Sequence, residues 1–437
     1  MTTSMSPSAT HDAIRAALDE TRARTLQLIS PLSAEDLARQ HDALMSPIVW
    51  DLAHIAHFEN LWLTSNLEGP IRFVEMPGMF NPMEHPRSER GSLPLPSLDE
   101  CLDIMSRIRH DVLERLDTVD LRHGPDLIRD GLIYHLVIQH EVQHNETMLQ
   151  TLQLKIGEPY VPIERRAIPE SPPVTPGREV SFAGGEVTFG TDIMTDTYDN
   201  ERPRHRIFVA PFIIDAYPVT NGQFAEFIQG GGYREGAFWS DAGRAWLAET
   251  GASSPAYWEC RDGAWWTRVM DRVAPIAADH PVCHVCFHEA EAYARFAGKR
   301  LPTEVEWEVA ATWDPEADRA RRFPWGDAPA NARLANVDQL TFGTAPIGAY
   351  SLGVSPIGCH GMIGDVWEWT ASDFLGYPGF APYPYPEYSE TFFGSDYRVL
   401  RGGSWATRPA AIRGTFRNWD YPIRRQIFSG FRCARDG

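Results

Sequence analysis

A proline-rich run, Ile168-Pro169-Glu170-Ser171-Pro172-Pro173-Val174-Thr175-Pro176, cuts this chain into two stretches of different texture. Prolines at this density suit neither a helix interior nor a central strand. Before the run, apolar residues recur at helical spacing. After it, glycines, tryptophans and short alternating runs take over. At 437 residues the chain is also too long for one ordinary core. We divide it into a helical domain (1–165), a linker (166–178) and a second domain (179–437).

The helical domain carries four long patterns. His11 to Ile29 places Ile14, Leu18 and Leu28 at helical spacing. Ser33 reads as a helix start, and Ser46-Pro47 opens a further helix with proline at an early helical position. That helix, with Trp50, Leu52, Ala53, Ile55, Ala56, Phe58, Leu61 and Leu63, is apolar nearly all round and belongs in a core. Its polar residues, Asp51, His54, His57 and Glu59, therefore need partners. Residues 70–97 read as a long loop, of a length that is often functional. Leu98 to Leu116 and about Asp130 to Leu154 complete a set that predicts an antiparallel four-helix bundle.

The last helix contains His140-Glu141-Val142-Gln143-His144. Imidazoles four residues apart leave one helix face a turn apart and can meet one metal ion. Gln143 and Thr147 share roughly that face. Bundles build metal sites from facing helices, so His54 or His57 supplies a third ligand. His54 is favoured, because it lies on the buried stripe between Trp50 and Phe58. The same five residues fit a zinc hydrolase pattern with Glu141 as base. The extended form of that pattern fails, since its Gly and His fall on Thr147 and Gln150.

The second domain reads as mixed α+β. Short strands are expected at Val180-Ser181-Phe182, Glu186 to Gly190, His205 to Val209, Phe212 to Asp215, Tyr397 to Leu400 and Gly430-Phe431-Arg432. Two helices interrupt them, one capped by Thr220-Asn221 and one running from His288 to Phe296. Loops held in such number point to a ligand site. Cys283-His284-Val285-Cys286 lacks a second pair or a βαβ context, so it is read as structural.

Composition excludes several classes. A net charge of -19 argues against nucleic acid and anionic membrane as partners. No run approaches the ~18 apolar residues of a membrane span. Six cysteines in this length make no disulfide framework, and Met1 to Asp12 lacks the pattern of a secretory signal. The expected setting is a reducing cytoplasm.

Several motifs then carry a resemblance. Asn200-Glu201-Arg202-Pro203, Gly298 to Glu308, Phe323-Pro324-Trp325-Gly326, Gly364-Asp365-Val366-Trp367-Glu368-Trp369, Arg401-Gly402-Gly403-Ser404-Trp405 and Gly430-Phe431-Arg432 resemble the formylglycine-generating-enzyme-like domain, a variant of the C-type lectin fold. Asp51-Leu52-Ala53-His54-Ile55 with the His140/His144 pair looks like a DinB-type bundle. The two in this order are similar to the sulfoxide synthases of ergothioneine biosynthesis. That resemblance implies a non-haem Fe(II) held by His54, His140 and His144. It implies O2-dependent joining of a thiol to C2 of the imidazole of hercynine, Nα-trimethylhistidine, as a sulfoxide. The tail motif Arg417 to Gln426 looks like the actinobacterial type, whose thiol is γ-glutamylcysteine.

By the same resemblance Arg87, Arg90, Asp420 and Arg424 hold the dipeptide. Arginine forks match its carboxylates, and Asp420 suits its ammonium. Gln143 and Asn418 can hydrogen-bond a carboxylate or an imidazole nitrogen. A trimethylammonium has no donor hydrogens and is recognised by aromatic faces, with Trp419, Phe416, Tyr383, Tyr385 and Tyr388 as candidates. The proton donor is assigned to Tyr385 on the proline-stiffened loop Pro382 to Ser389, with Tyr388 helping to bind hercynine and Tyr377 as competitor. The rival readings are a related ovothiol-type synthase, a cysteine-using variant, a zinc hydrolase on the His140/His144 pair, and a non-enzymatic lectin-like module.

Overall fold

Caps in the sequence set where the helices begin. Ser97 accepts from the Glu100 backbone while Glu100 reaches back to Ser97, and helix α4 (Leu98–Leu116) starts there. Thr10 caps α1 (His11–Ile29), and Ser33 caps the short α2 (Ala34–Ala38). Helix α3 (Ile48–Leu63) starts one residue later than expected, with Pro47 as its N-cap rather than inside its first turn. Helix α5 (Leu132–Gln153) follows a left-handed Gly131. The structure, a computed structural model, describes residues 10–67 and 78–437. The start of the long loop (70–77) and most of the N-terminal stretch read for a secretory signal fall outside these residues.

Two compact units result: 1–163 with 193–198, and 164–192 with 199–437. In the first, α3 packs against α4 and α5, and α1 against α5. Helix α3 is buried on nearly every side, as its apolar sequence requires. Among the described residues, no helix is long and apolar enough to cross a membrane.

The second unit is a loop-rich α+β fold. Strands β1 (Glu179–Phe182), β4 (Phe212–Asp215) and the C-terminal β14 (Ala434–Asp436) form one antiparallel sheet in the order β1-β4-β14. Strands β2 (Gly185–Phe189) and β3 (His205–Val209) pair as a ribbon. Strands β5 (Trp258–Arg261), β6 (Ala264–Val269) and β7 (Arg272–Pro275) make a meander, and β8 (Trp313–Asp314) pairs with β9 (Arg319–Ala320). The largest sheet has the order β12-β11-β10-β13, from β10 (Trp367–Phe374), β11 (Gly394–Arg401), β12 (Asn418–Asp420) and β13 (Ser429–Gly430). The strand expected at Gly430-Phe431-Arg432 is instead two short pieces, β13 and β14, on different sheets.

Four helices, not two, interrupt these strands: α6 (Asn221–Gln229), α7 (Asp241–Thr250), α8 (Phe287–Phe296) and α9 (Glu304–Thr312). Ser240 and Thr303 cap the two that the sequence reading missed.

Buried ion pairs hold the loops. Arg432 grips Glu368 at 2.7 and 2.8 Å, and Arg417 grips Glu304 at 2.9 Å. Arg401 pairs with Glu308 and Arg413 with Glu201. The charged motif residues that carry the resemblance are thus largely scaffold. Gly364 is required where it stands: its φ is +86°, and a Cβ there would lie 2.3 Å from the Asn336 carbonyl oxygen.

Candidate metal and substrate site

Three imidazoles converge in the first unit. His54 comes from α3, His140 and His144 from α5. Their ligand atoms lie within 4.8 Å of one another, and the Nε2 atoms of His54 and His140 are 3.1 Å apart. Each ring is fixed from behind. His54 stacks on Trp50 at 4.8 Å and donates through Nδ1 to the Phe80 carbonyl at 2.8 Å. His140 stacks on Phe58 at 3.6 Å. His144 Nδ1 faces Asp51 Oδ1 at 3.0 Å. Donation from Nδ1 leaves the Nε2 lone pairs of His54 and His144 for a ligand.

The electrostatics favour a neutral ring at His54 and at His140. Burial, and then the neighbouring His144, hold His54 well below its usual range. Burial and the other two histidines do the same for His140. One proton cannot satisfy three ring nitrogens converging this closely, whereas a cation can. The donor set therefore fits a metal ion. His57 is not part of it: its ring stacks on Phe80 at 4.9 Å.

Glu141 points elsewhere. Its carboxylate takes Arg22 Nε at 2.8 Å and Thr25 Oγ1 at 2.7 Å, with Arg109 at 3.5 Å. Arg22 and Arg109 also hold Glu59, at 2.6 and 2.5 Å. A carboxylate committed to this buried cluster is no base for a metal-bound water, which removes the zinc hydrolase reading.

Gln143, half-buried on α5, accepts from the Tyr198 hydroxyl at 2.8 Å. Tyr198 belongs to the first unit through the segment Ile193–Tyr198. No local sequence signal marked it. Arg90 is buried, with Nη1 2.8 Å from Ser46 Oγ and its guanidinium 3.6 Å above the Trp50 ring. Burial pushes it down to about 10, against the pull of Asp51. Arg87 is less committed: its guanidinium reaches the Leu44 carbonyl only at 3.5 Å.

In the second unit, several assigned residues gather. Tyr385 meets Tyr388 at 6.3 Å, and Tyr388 meets Trp419 at 5.8 Å. Trp419 stacks on Phe374 at 4.1 Å. Asn418, Trp419 and Asp420 form β12, beside Leu400, Val399 and Arg398 of β11. Arg424 lies 3.5 Å from Asp420, and its Nε and Nη1 are buried with no hydrogen-bond partner among the described residues. Asp199 pins both ends of the tyrosine loop, through Ser389 Oγ at 2.5 Å and the Tyr383 backbone at 3.3 Å.

Others lie apart from this group. Tyr377 is enclosed by Phe189 at 4.7 Å, His205 at 5.2 Å and the Arg417 guanidinium at 4.3 Å. Phe416 is core, packed on Trp367 at 5.8 Å. None of the six described cysteines is in a disulfide, and Cys286 merely begins α8.

Comparison with known proteins gives this geometry its context. Residues 164–437 match the sulfatase-modifying factor enzyme 1-like domain family, and residues 17–148 the DinB superfamily. The hercynine oxygenase of Mycolicibacterium thermoresistibile is 46% identical over 96% of this chain and 94% of its own length. The chain belongs to the hercynine oxygenase family. A second member, from Mycolicibacterium smegmatis, is 45% identical over 95% of this chain and 96% of its own. The formylglycine-generating enzyme of Thermomonospora curvata is 33% identical, but over only 59% of this chain. Family members thus share both units, whereas the formylglycine-generating enzyme matches little more than the second.

Proposed function

We propose that this chain is a non-haem iron(II) oxygenase of ergothioneine biosynthesis, joining γ-glutamylcysteine to C2 of the hercynine imidazole. In the overall reaction the thiol hydrogen and the C2 hydrogen leave in one water, and the second oxygen of O2 ends on sulfur. The observation that carries the reading is the three-histidine cluster within a chain that matches hercynine oxygenases over nearly its whole length. His54, His140 and His144 would hold the iron, which would supply the O2 chemistry.

The protein's residues do the rest. Asp51 and the Phe80 carbonyl orient two ligand rings. Gln143 and Asn418 bind polar groups of hercynine, with Tyr388 and Trp419 as faces for its trimethylammonium. Arg87, Arg90 and Arg424 serve the carboxylates of the dipeptide and Asp420 its ammonium. The buried Nη1 of Arg424, without a hydrogen-bond partner among the described residues, supports that assignment. Tyr385 delivers a proton, with the enclosed Tyr377 as the weaker candidate. The absence of a disulfide among the described cysteines suits a reducing cytoplasm.

Metal analysis of anaerobically purified protein tests the reading. Iron should be bound by the parent and by His57→Ala, and lost from His54→Ala, His140→Ala and His144→Ala. Iron retained in His54→Ala and lost from His57→Ala would overturn the ligand set.

A further inference from the structure

The loop of the assigned proton donor opens a file of aromatic rings, all but one of them oxidisable, that reaches the surface. Tyr385 meets Tyr388 at 6.3 Å, and Tyr388 meets Trp419 at 5.8 Å. Phe392 bridges Trp419, at 5.6 Å, and Tyr397, at 5.8 Å. Tyr397 stacks near Tyr421 at 4.5 Å, and its hydroxyl donates to that of Tyr421 at 2.8 Å. Tyr421 is 40% exposed.

Strand register explains the file. Val399 of β11 faces Trp419 of β12. Two residues along β11, Tyr397 falls on that same face, about 7 Å further on, and Tyr421, the residue after β12, brings its ring against it. Packing alone needs these rings and not their hydroxyls. The hydroxyl pair has a use in oxidation, because a phenol that loses an electron must also lose its proton. Tyr397 has an acceptor in Tyr421, and Tyr421 has water.

We propose that this file is an escape route, carrying oxidising equivalents from the Tyr385 loop to Tyr421, where a soluble low-molecular-weight thiol discharges them. It rests on the reading above, in which Tyr385 delivers a proton to the O2 reaction, and it operates when O2 is consumed without C–S bond formation. Each step moves one electron inwards: an oxidised tyrosine or tryptophan is refilled by the next tyrosine or tryptophan outward, with Phe392 only a bridge between Trp419 and Tyr397, until Tyr421 is left as a phenoxyl radical. The phenoxyl takes a hydrogen atom from the thiol, and two thiyl radicals join as a disulfide. Four such electrons with four protons reduce one O2 to two waters. The chain thus gains a second activity, a thiol oxidase whose thiol reacts at the surface.

Tyr397→Phe, Tyr421→Phe and the double variant keep every ring and test this in the iron-loaded full chain. Initial sulfoxide formation should be unchanged. With hercynine withheld and thiol and O2 supplied, the O2 consumed before inactivation should fall severalfold. A radical trap should mark Tyr421 in the parent and move inward to Trp419 in the double variant. Equal endurance in parent and double variant, or no trapping at Tyr397 or Tyr421 in the parent, overturns the proposal. Failure of the functional reading looks different: the parent then forms no sulfoxide at all. An iron-free measurement covers that case. Tryptophan oxidised by pulsed azide radical should pass its hole to tyrosine, and the double variant should form less tyrosyl radical than the parent. An unchanged yield would also overturn the escape route.

Discussion

Asp51 Oδ1 lies 3.0 Å from His144 Nδ1, and the other oxygen of the same carboxylate is buried without a hydrogen-bond partner among the described residues. The carboxylate fixes the ring's tautomer and raises its basicity toward a metal. Asp51→Asn keeps the shape and removes the charge. Iron(II) affinity should fall about 10–100-fold, the usual loss for such an outer partner. Anaerobic titration with iron(II) measures it, and unchanged affinity would make Asp51 a packing residue.

Glu141 separates a structural role from a catalytic one. It is buried among Arg22, Thr25 and Arg109, so removing its charge leaves arginines short of a partner. Glu141→Gln should cost about 3–5 kcal/mol of stability, as for other broken buried pairs. Denaturant unfolding reads the loss. Iron binding should survive, whereas loss of a metal-dependent hydrolysis would revive the zinc reading.

Arg87 and Arg90 should behave differently. Losing one charged hydrogen bond costs about 1.5–3 kcal/mol, so Arg87→Ala should raise the KM for γ-glutamylcysteine about tenfold or more. Its melting temperature should stay near that of the parent. Arg90 is locked against Ser46, the His85 carbonyl and Trp50, so Arg90→Ala should lower the melting temperature as well. Steady-state kinetics beside thermal unfolding distinguishes them, and a KM effect confined to Arg90→Ala reverses the assignment.

Tyr385→Phe removes only a hydroxyl. Substrate binding should be nearly intact, with sulfoxide formation slowed and more O2 spent on oxidising the thiol alone. The measurement is the ratio of sulfoxide to sulfinic acid per O2 consumed. An unchanged ratio in Tyr385→Phe with a changed one in Tyr377→Phe would hand the role to Tyr377, despite its enclosure by Phe189, His205 and Arg417.

Much of the bundle is legible in the sequence because its signals are local. Apolar spacing marks Leu98–Leu116, and Ser97 supplies the cap. The polar residues of an otherwise apolar α3 announced that they needed partners, and each has one: Asp51 meets His144, His54 the cluster, Glu59 two arginines, and His57 the Phe80 ring. The partners themselves were not legible, since they lie on other helices. Helix α9 lies within the motif Gly298 to Glu308 and shows no helical period, although Thr303 and Glu306 form a capping box. Its nine residues are too few to show a period. The sheet order β12-β11-β10-β13 depends on pairings between distant segments, and no local pattern encodes those. Tyr198 was missed for the same reason.

The most direct test supplies iron-loaded full chain with hercynine, γ-glutamylcysteine and isotopically heavy O2, and weighs the product. The account predicts a sulfoxide bonded at C2 of the imidazole, with one heavy oxygen on sulfur and the other in water. Formation of only disulfide or sulfinic acid, or equal activity with free cysteine in place of the dipeptide, would contradict it.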